Sequence, residues 1–337
     1  MPFIQSTTTT RVKPHGNPSS KIAIIGDFSD GFDERNARPF SGPSGTVLEQ
    51  CLHAAGLIRG EVYTSNVVLD RVDTSHKHKY FDDKKCTFTP LGMQHVSRLK
   101  NELENTSCNV IVAASPMALA AICSLRYLSR YRGYLFHSSL LDVPRKVIPM
   151  HHPGQTIRGM YQYRYMIVCD LKKAKVESTF PELRRPERQL IYKYETVEEA
   201  LEWLAYYEQQ SVVGFDIEVL NYEVSCISFS SSPDIACVIP ISDRWTLDEE
   251  FLLWRGIQRV LGNPASKKIV QNGMFDIPFM LTRNGITVRG DVHDTMVAHS
   301  IMFPDLPKGL GFLGSLYCGS QSYWKDTVKF TNIKDES

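Results

Sequence analysis

The 337 residues, 42% hydrophobic and 22% charged, are enough to bury two cores of ordinary domain size, so bulk disorder is excluded and two domains are expected. A formal net charge of +1 excludes a uniformly basic coat for nucleic acid, so any contact with DNA has to come from local patches balanced by acidic clusters elsewhere. The eight cysteines are scattered without a C-x-x-C, a poor spacing for zinc or a disulfide framework and one that fits a reducing cytoplasm.

Residues 1–20 are polar, rich in Ser and Thr, unlike a signal peptide, and are expected to form a disordered tail. From Lys21 short apolar strands alternate with amphipathic helices, the signature of a parallel α/β sheet. Strands are expected at 22–25, 61–69, 110–113 and 146–149, and helices at 45–55, 93–103, 117–128 and 158–175. The longest apolar run, 110–125, is broken by Ser115, Pro116 and Ser124 and reads as strand, turn and helix, not as a bilayer span, so no membrane is expected. Residues 176–190 are charged and proline-punctuated, which makes them a linker between a first domain at 21–175 and a second at 191–337. Thr196 with Glu199 resembles a capping box opening a helix to Tyr207, and strands follow at 212–219, 224–230 and 236–241.

The ends of strands in α/β sheets face the crevice where ligands bind, and Gly26-Asp27 stands at such an end, followed by R-P-F-S-G at 38–42. This run resembles the G-E-x-P-G…R-P-F-x-G loop of uracil-DNA glycosylases of the family 4 and 5 type. The strand at 62–68 resembles the one carrying the uracil-reading asparagine, here Asn66; P-M-H-H-P at 149–153 resembles the family's H-P loop, with His152 in the catalytic position; and residues 170–174 resemble its closing helix. The resemblance covers about residues 21–175 and implies a three-layer α/β/α glycosylase-like domain. Phe40 would stack on a flipped base, Asn66 read its edge, His152 hydrogen-bond the developing anion, and Asp27 position water or steady the sugar cation. The basic and aromatic residues Arg126, Tyr127, Arg130, Tyr131, Arg132 and Tyr134 suit phosphate and base contact, with a solvated helix end as the alternative. Asp27, Ser29 and Asp30 depart from the family's Glu, Pro and Gly, and Leu69-Asp70 stands where Lys-Cys is expected, so no iron-sulfur cluster is expected.

In the second domain, Asp216 and Glu218 form a D-x-E whose carboxylates share one face if the segment is a strand. N-x-x-x-D from Asn272 to Asp276 and the D-T-M at Asp294 resemble the second motif and the signature of the DnaQ-like 3′-5′ exonuclease domains of family A polymerases. The resemblance implies a ribonuclease-H-like fold in which Asp216, Glu218 and Asp276 bind Mg²⁺ or Mn²⁺, Asn272 contacts substrate, and Asp294 supports the site. The family's third motif, Y-x-x-x-D, is expected beyond the Y-W-K-D segment at 323–326, and the sequence stops at Ser337, so the domain is expected to be incomplete. Together the resemblances imply the N-terminal part of a phage DNA polymerase, acting in the infected host's cytoplasm on single-stranded or frayed 3′ ends, with a polymerase chain that carries the rest of the exonuclease and the polymerase domain as a further partner. The alternative is a non-catalytic DNA-binding or polymerase-docking module built on two enzyme folds. The H-K-H-K run at 76–79 reads as a solvated loop.

Overall fold

The computed structural model describes residues 12–185, 187–241 and 244–318. These form two compact units, one built from the residues up to Arg185 and again from Gly311, the other from the residues between them. Tyr323 and Asp326 lie outside the described residues.

Unit 1 begins with β1 (Ile22–Ser29), α1 (Gly31–Asn36), α2 (Pro43–Ala54) and β2 (Val62–Arg71). A small hairpin, β3 (Phe81–Asp82) and β4 (Thr87–Phe88), precedes α3 (Pro90–Glu104), β5 (Val110–Ala113), α4 (Pro116–Cys123) and α5 (Leu128–Tyr131). Then come β6 (Phe136–His137), β7 (Lys146–Pro149), α6 (Gly154–Ile157) and α7 (Tyr163–Glu177). The main sheet has the order β2-β1-β5-β7-β6, parallel except for β6. Its strands are apolar on both faces, as a doubly covered sheet requires. Ala23, Ile25 and Ile111 meet Leu99 and Leu103 of α3 and Ile122 of α4. Ile22, Ile24 and Val112 meet Leu48 and Leu52 of α2 and Ile167 and Leu171 of α7. The result is the expected three-layer α/β/α arrangement.

Several expectations are corrected here. The polar tail does not extend to Ser20: Val12 is buried, and His15 exchanges backbone hydrogen bonds of 2.9 and 2.7 Å with Thr64. β2 is the edge strand of the sheet, and these bonds satisfy an otherwise bare part of that edge. The helix expected at 117–128 stops at Cys123, because Ser124 turns left-handed and accepts the role of C-cap. The linker expected at 176–190 is packed at its start, where the buried Lys146 ammonium donates to the Glu177 carboxylate at 3.0 Å and to the Phe180 carbonyl at 2.7 Å.

Unit 2 contains β8 (Gln189–Ile191), α8 (Val197–Glu208), β9 (Val212–Leu220), β10 (Glu223–Ser230), β11 (Ile235–Pro240), α9 (Leu247–Gly262), β12 (Lys267–Val270), α10 (Gly273–Asn284), β13 (Val292–Asp294) and α11 (Thr295–Met302). The sheet order is β13-β12-β9-β10-β11-β8, with β9, β10 and β11 antiparallel and β12 parallel to β9. Along β9, Val213, Phe215 and Ile217 enter the core with Leu204 and Ile257, while Asp216 and Glu218 face outward. α12 (Leu310–Tyr317) follows, and from Gly311 onward it packs into unit 1, not unit 2 as the expected domain limits had it. Among the described residues no helix is long and apolar enough to cross a membrane.

Candidate functional site

In unit 1 the four residues singled out from the sequence, Asp27, Phe40, Asn66 and His152, line one cavity of about 470 Å³ at the C-terminal end of β1. That volume lies in the range of small-ligand sites. Two glycines make the approach possible. A Cβ on Gly26 would lie 2.3 Å from Asn66 Oδ1, and one on Gly45 would lie 1.8 Å from the Phe40 carbonyl oxygen. Phe40 itself holds φ +53°, a left-handed backbone that costs a non-glycine residue and is kept by its surroundings. Asp33 accepts from the Ser41 amide at 2.9 Å and its hydroxyl at 3.1 Å, while Arg59 donates to the Pro39 carbonyl at 3.0 Å and stands 5.8 Å over the Phe40 ring.

His152 Nδ1 accepts the Gly154 amide at 3.0 Å, so the proton of the neutral ring resides on Nε2, which lies 3.8 Å from Asp27 Oδ1. Burial depresses the basicity of His152, and Asp27 only partly restores it. The Phe40 and His152 rings are stacked at 5.6 Å. Asn66 is buried, and its Nδ2 donates to the Ser29 hydroxyl at 3.1 Å. No motif or spacing singles out Lys77, whose ammonium sits 4.0 Å from Asp27 Oδ2 and 5.3 Å over the Phe28 ring. It belongs to the H-K-H-K run read as solvated, and only the tertiary fold brings it to the strand end.

The basic and aromatic segment after α4 is corrected. Tyr131, Arg132 and Tyr134 are buried, with Arg132 paired to Asp170 at 2.7 Å, so they serve the core. Arg126, Tyr127 and Arg130 remain exposed.

In unit 2, pairing of β12 with β9 ends at Gly214, which leaves the following edge of β9 open. The Ile217 amide, between Asp216 and Glu218, donates to Asp276 Oδ1 at 3.2 Å. α10 thereby delivers its carboxylate to the strand that carries the other two. Burial, then repulsion from Asp276 and Glu218, pushes Asp216 up to about 6. Asp276 is raised as well, by burial foremost.

Asp294 is engaged differently. Its carboxylate accepts the amides of Asn272, Gly273, Met296 and Val297 at 2.8–3.2 Å, capping α11 and pinning the start of α10. Burial opposes its charge, but these backbone donors outweigh burial and hold it below the usual carboxylate value. Asn272 is exposed, in the left-handed conformation at φ +65°, directly before α10.

Among the described residues no three acidic, histidine or cysteine side chains close into a metal cage. The donor set nevertheless fits a hard divalent cation: three carboxylates, two of them raised in part by mutual repulsion that a cation would relieve.

A three-layer α/β/α unit with a polar cavity at its strand ends, and a mixed-sheet unit with carboxylates on its central strand, define a glycosylase-like and a nuclease-like module. Residues 13–174 match the uracil DNA glycosylase superfamily, and residues 189–332 match the 3′-5′ exonuclease family. The chain therefore carries a uracil-DNA-glycosylase-like domain followed by a ribonuclease-H-like domain of the 3′-5′ exonuclease type. The type-4 uracil-DNA glycosylase of Thermotoga maritima is 27% identical over 172 residues, which are 50% of this chain and 82% of that protein. The type-4 enzyme of Archaeoglobus fulgidus is 26% identical over 175 residues, 50% of this chain and 83% of that protein. Among solved structures, the catalytic core of RRP6 from Trypanosoma brucei aligns at 15% identity and a TM-score of 0.32, over 41% of this chain and 38% of that one. Escherichia coli RNase D aligns at 15% identity and a TM-score of 0.31, over 42% of this chain and 36% of that one. The chain thus spans well under half the length of either structure.

Proposed function

We propose that this chain is the DNA-editing portion of a phage family A polymerase, working in the cytoplasm of the infected bacterium. Unit 1 takes a flipped uracil-like base into its cavity, and unit 2 trims single-stranded or frayed 3′ ends with Mg²⁺ or Mn²⁺. The polymerase context is supported by the likeness of residues 292–296 and 323–326 to polymerase segments. The observation that carries the reading of unit 1 is the convergence of Asp27, Phe40, Asn66 and His152 on one cavity.

In that cavity Phe40 offers a ring to stack on, and Asn66 presents an amide to the base edge with its rotamer fixed by Ser29. His152 presents Nε2–H, the donor that a departing base anion needs, without first having to gain a proton. Asp27 holds negative charge beside the place where a sugar cation would form. In unit 2, Asp216, Glu218 and Asp276 would hold the divalent ions, which supply an activated water and charge neutralisation at the phosphate. The Asp276 bond to Ile217 aligns the third carboxylate with the strand. Asn272, exposed at the start of α10, contacts the substrate strand, and Asp294 acts through the backbone it holds.

The test is a 5′-labelled single strand with one internal uracil, incubated with the protein in EDTA or in Mn²⁺. An alkali-labile site at the uracil in EDTA, lost in Asp27→Ala and His152→Ala, supports the glycosylase reading. A ladder shortened from the 3′ end in Mn²⁺, lost in Asp216→Ala, supports the exonuclease reading. Base-selective binding without either product identifies the non-catalytic module instead.

A further inference from the structure

Residues 311–318 fall inside the stretch that matches the exonuclease, yet they are built into unit 1. Leu313, Ser315 and Leu316 are buried there. The Arg132 guanidinium donates to the Ser315 hydroxyl as well as to Asp170, and lies 5.0 Å over the Phe312 ring. The Lys173 ammonium donates to the carbonyls of Gly133, Ser315 and Cys318, and the Tyr134 hydroxyl donates to that of Gly311. Two of the three acceptors of Lys173 therefore come from this short segment. Buried cations left without such partners are costly, so the segment completes the unit.

The Gly133 backbone links this cluster to the start of the His152 loop. Gly133 adopts φ +75°, and a Cβ on it would lie 2.8 Å from both Asp170 Oδ1 and the Ser315 carbonyl oxygen, so the backbones are in close contact. The Gly133 amide donates to the Pro149 carbonyl at 2.9 Å, at the point where β7 ends and the loop begins. Within the loop, His151 stacks at 3.8 Å on Tyr163 of α7, the helix that carries Asp170 and Lys173. His152 then enters the cavity. Buried contacts thus join Ser315 to Pro149 through Arg132 and Gly133, and the chain runs from Pro149 through His151 into His152.

We propose that residues 311–318 are a built-in strap that positions the His152 loop, so that release of the strap from Arg132, Tyr134 and Lys173 loosens the cavity of unit 1. The strap follows directly in the chain on Leu310, the last residue of unit 2. The meaning of the strap rests on the base-pocket reading above, but its test does not.

Hydrogen exchange of the whole chain followed by mass spectrometry gives that test, with Ser315→Trp to overfill the buried slot. Exchange is expected to accelerate by about tenfold or more in residues 311–318 and, together with them, in 131–135 and 149–157, while β9 and β12 keep wild-type protection. The ring ¹⁵N signals of His152 should shift from the Nε2–H pattern toward that of a free imidazole, and Arg132→Lys should retain most of the wild-type pattern. If Ser315→Trp unfolds unit 1 as a whole, Tyr134→Phe removes a single strap bond and should give the same coordinated change at smaller size. Release of the strap with residues 149–157 unaltered overturns the proposal, as does a strap that exchanges freely in the wild type. Coordinated loosening with no change in preference for a uracil-containing over a thymine-containing strand leaves the strap standing and removes the base-pocket reading.

Discussion

Neutralising Asp216 should make unit 2 more stable, although it removes a residue assigned to metal binding. The carboxyl ordinarily titrates at 3.8 and is pushed up to about 6 by burial and by Asp276 and Glu218. Below 3.8 folded and unfolded chains both hold the proton; between 3.8 and about 6 only the folded chain does, so this group's contribution to stability falls as pH rises through that window. Above it the loss is complete. Taken at face value the shift amounts to about 3 kcal/mol, but Asp216 faces outward on the sheet and screening reduces that to on the order of 1 kcal/mol. Asp216→Asn should therefore raise the unfolding midpoint of unit 2 by about 3–5 °C at pH 8 and leave it nearly unchanged at pH 4. Three of the four tryptophans, Trp203, Trp245 and Trp254, lie in unit 2, so tryptophan emission measured in a Trp324→Phe background follows its unfolding. Mn²⁺ at about a hundred times its dissociation constant should add about 2.7 kcal/mol to the wild type and much less to the variant. A variant less stable than wild type at pH 8, or an equal Mn²⁺ effect on both proteins, would refute the crowding argument.

Phe40→Leu keeps most of the core volume while removing the stacking face, so it should weaken binding of a uracil-containing strand by about 1–3 kcal/mol with little change for an abasic strand, as read by fluorescence anisotropy. Base release by unit 1, if it occurs, should persist in EDTA and should not fall between pH 7 and 8, because burial already keeps His152 neutral there; an alkali-cleavage time course at the two pH values checks this. Asp276→Asn should weaken Mn²⁺ binding at least about tenfold in isothermal titration while the far-ultraviolet spectrum is retained. Asp294→Ala strips four backbone amides of their acceptor and should destabilise unit 2 by about 2 kcal/mol in urea at pH 7. Its carboxyl is depressed by the fold, so that stabilisation is present above the ordinary carboxylate value and is lost as pH falls through the lower one.

The layers of both units were legible because strand and helix leave different periods in a sequence. The D-x-E at Asp216 could be placed on one outward face from period two alone, and β9 does alternate buried and exposed residues there. Asn66 and His152 were legible only through motif likeness, since nothing local tells a buried asparagine that reads a ligand from one that serves the core. Lys77 could not be found at all, because it reaches Asp27 from a turn some fifty residues on in the chain. The basic and aromatic run around Arg132 misled for a physical reason. An arginine with a buried carboxylate partner looks, in one dimension, the same as an arginine waiting for a phosphate, and Asp170 lies 38 residues away.

The departures of the glycosylase-like loop from its family can be weighed by what the substituted residues do. Asp30 spends its carboxylate capping α1, accepting the Phe32 and Asp33 amides at 2.7 and 2.9 Å, so it adds little reactive charge to the cavity. Ser29 is buried and holds Asn66 by its amide nitrogen, leaving Asn66 Oδ1 directed toward Gly26. Both substitutions are therefore absorbed by local hydrogen bonding, and neither fills the cavity. What has changed is the number of donors Asn66 can offer, because one of its two Nδ2 protons is committed to Ser29. A base edge that needs only one donor and one acceptor from Asn66 is still matched; one that needs both amide protons is not. Base selectivity, more than the presence of a pocket, is thus where this unit should differ from its relatives, and Ser29→Ala should broaden the set of bases bound. Unchanged relative affinities for strands carrying uracil, cytosine or hypoxanthine in that variant would show that Ser29 takes no part in the choice.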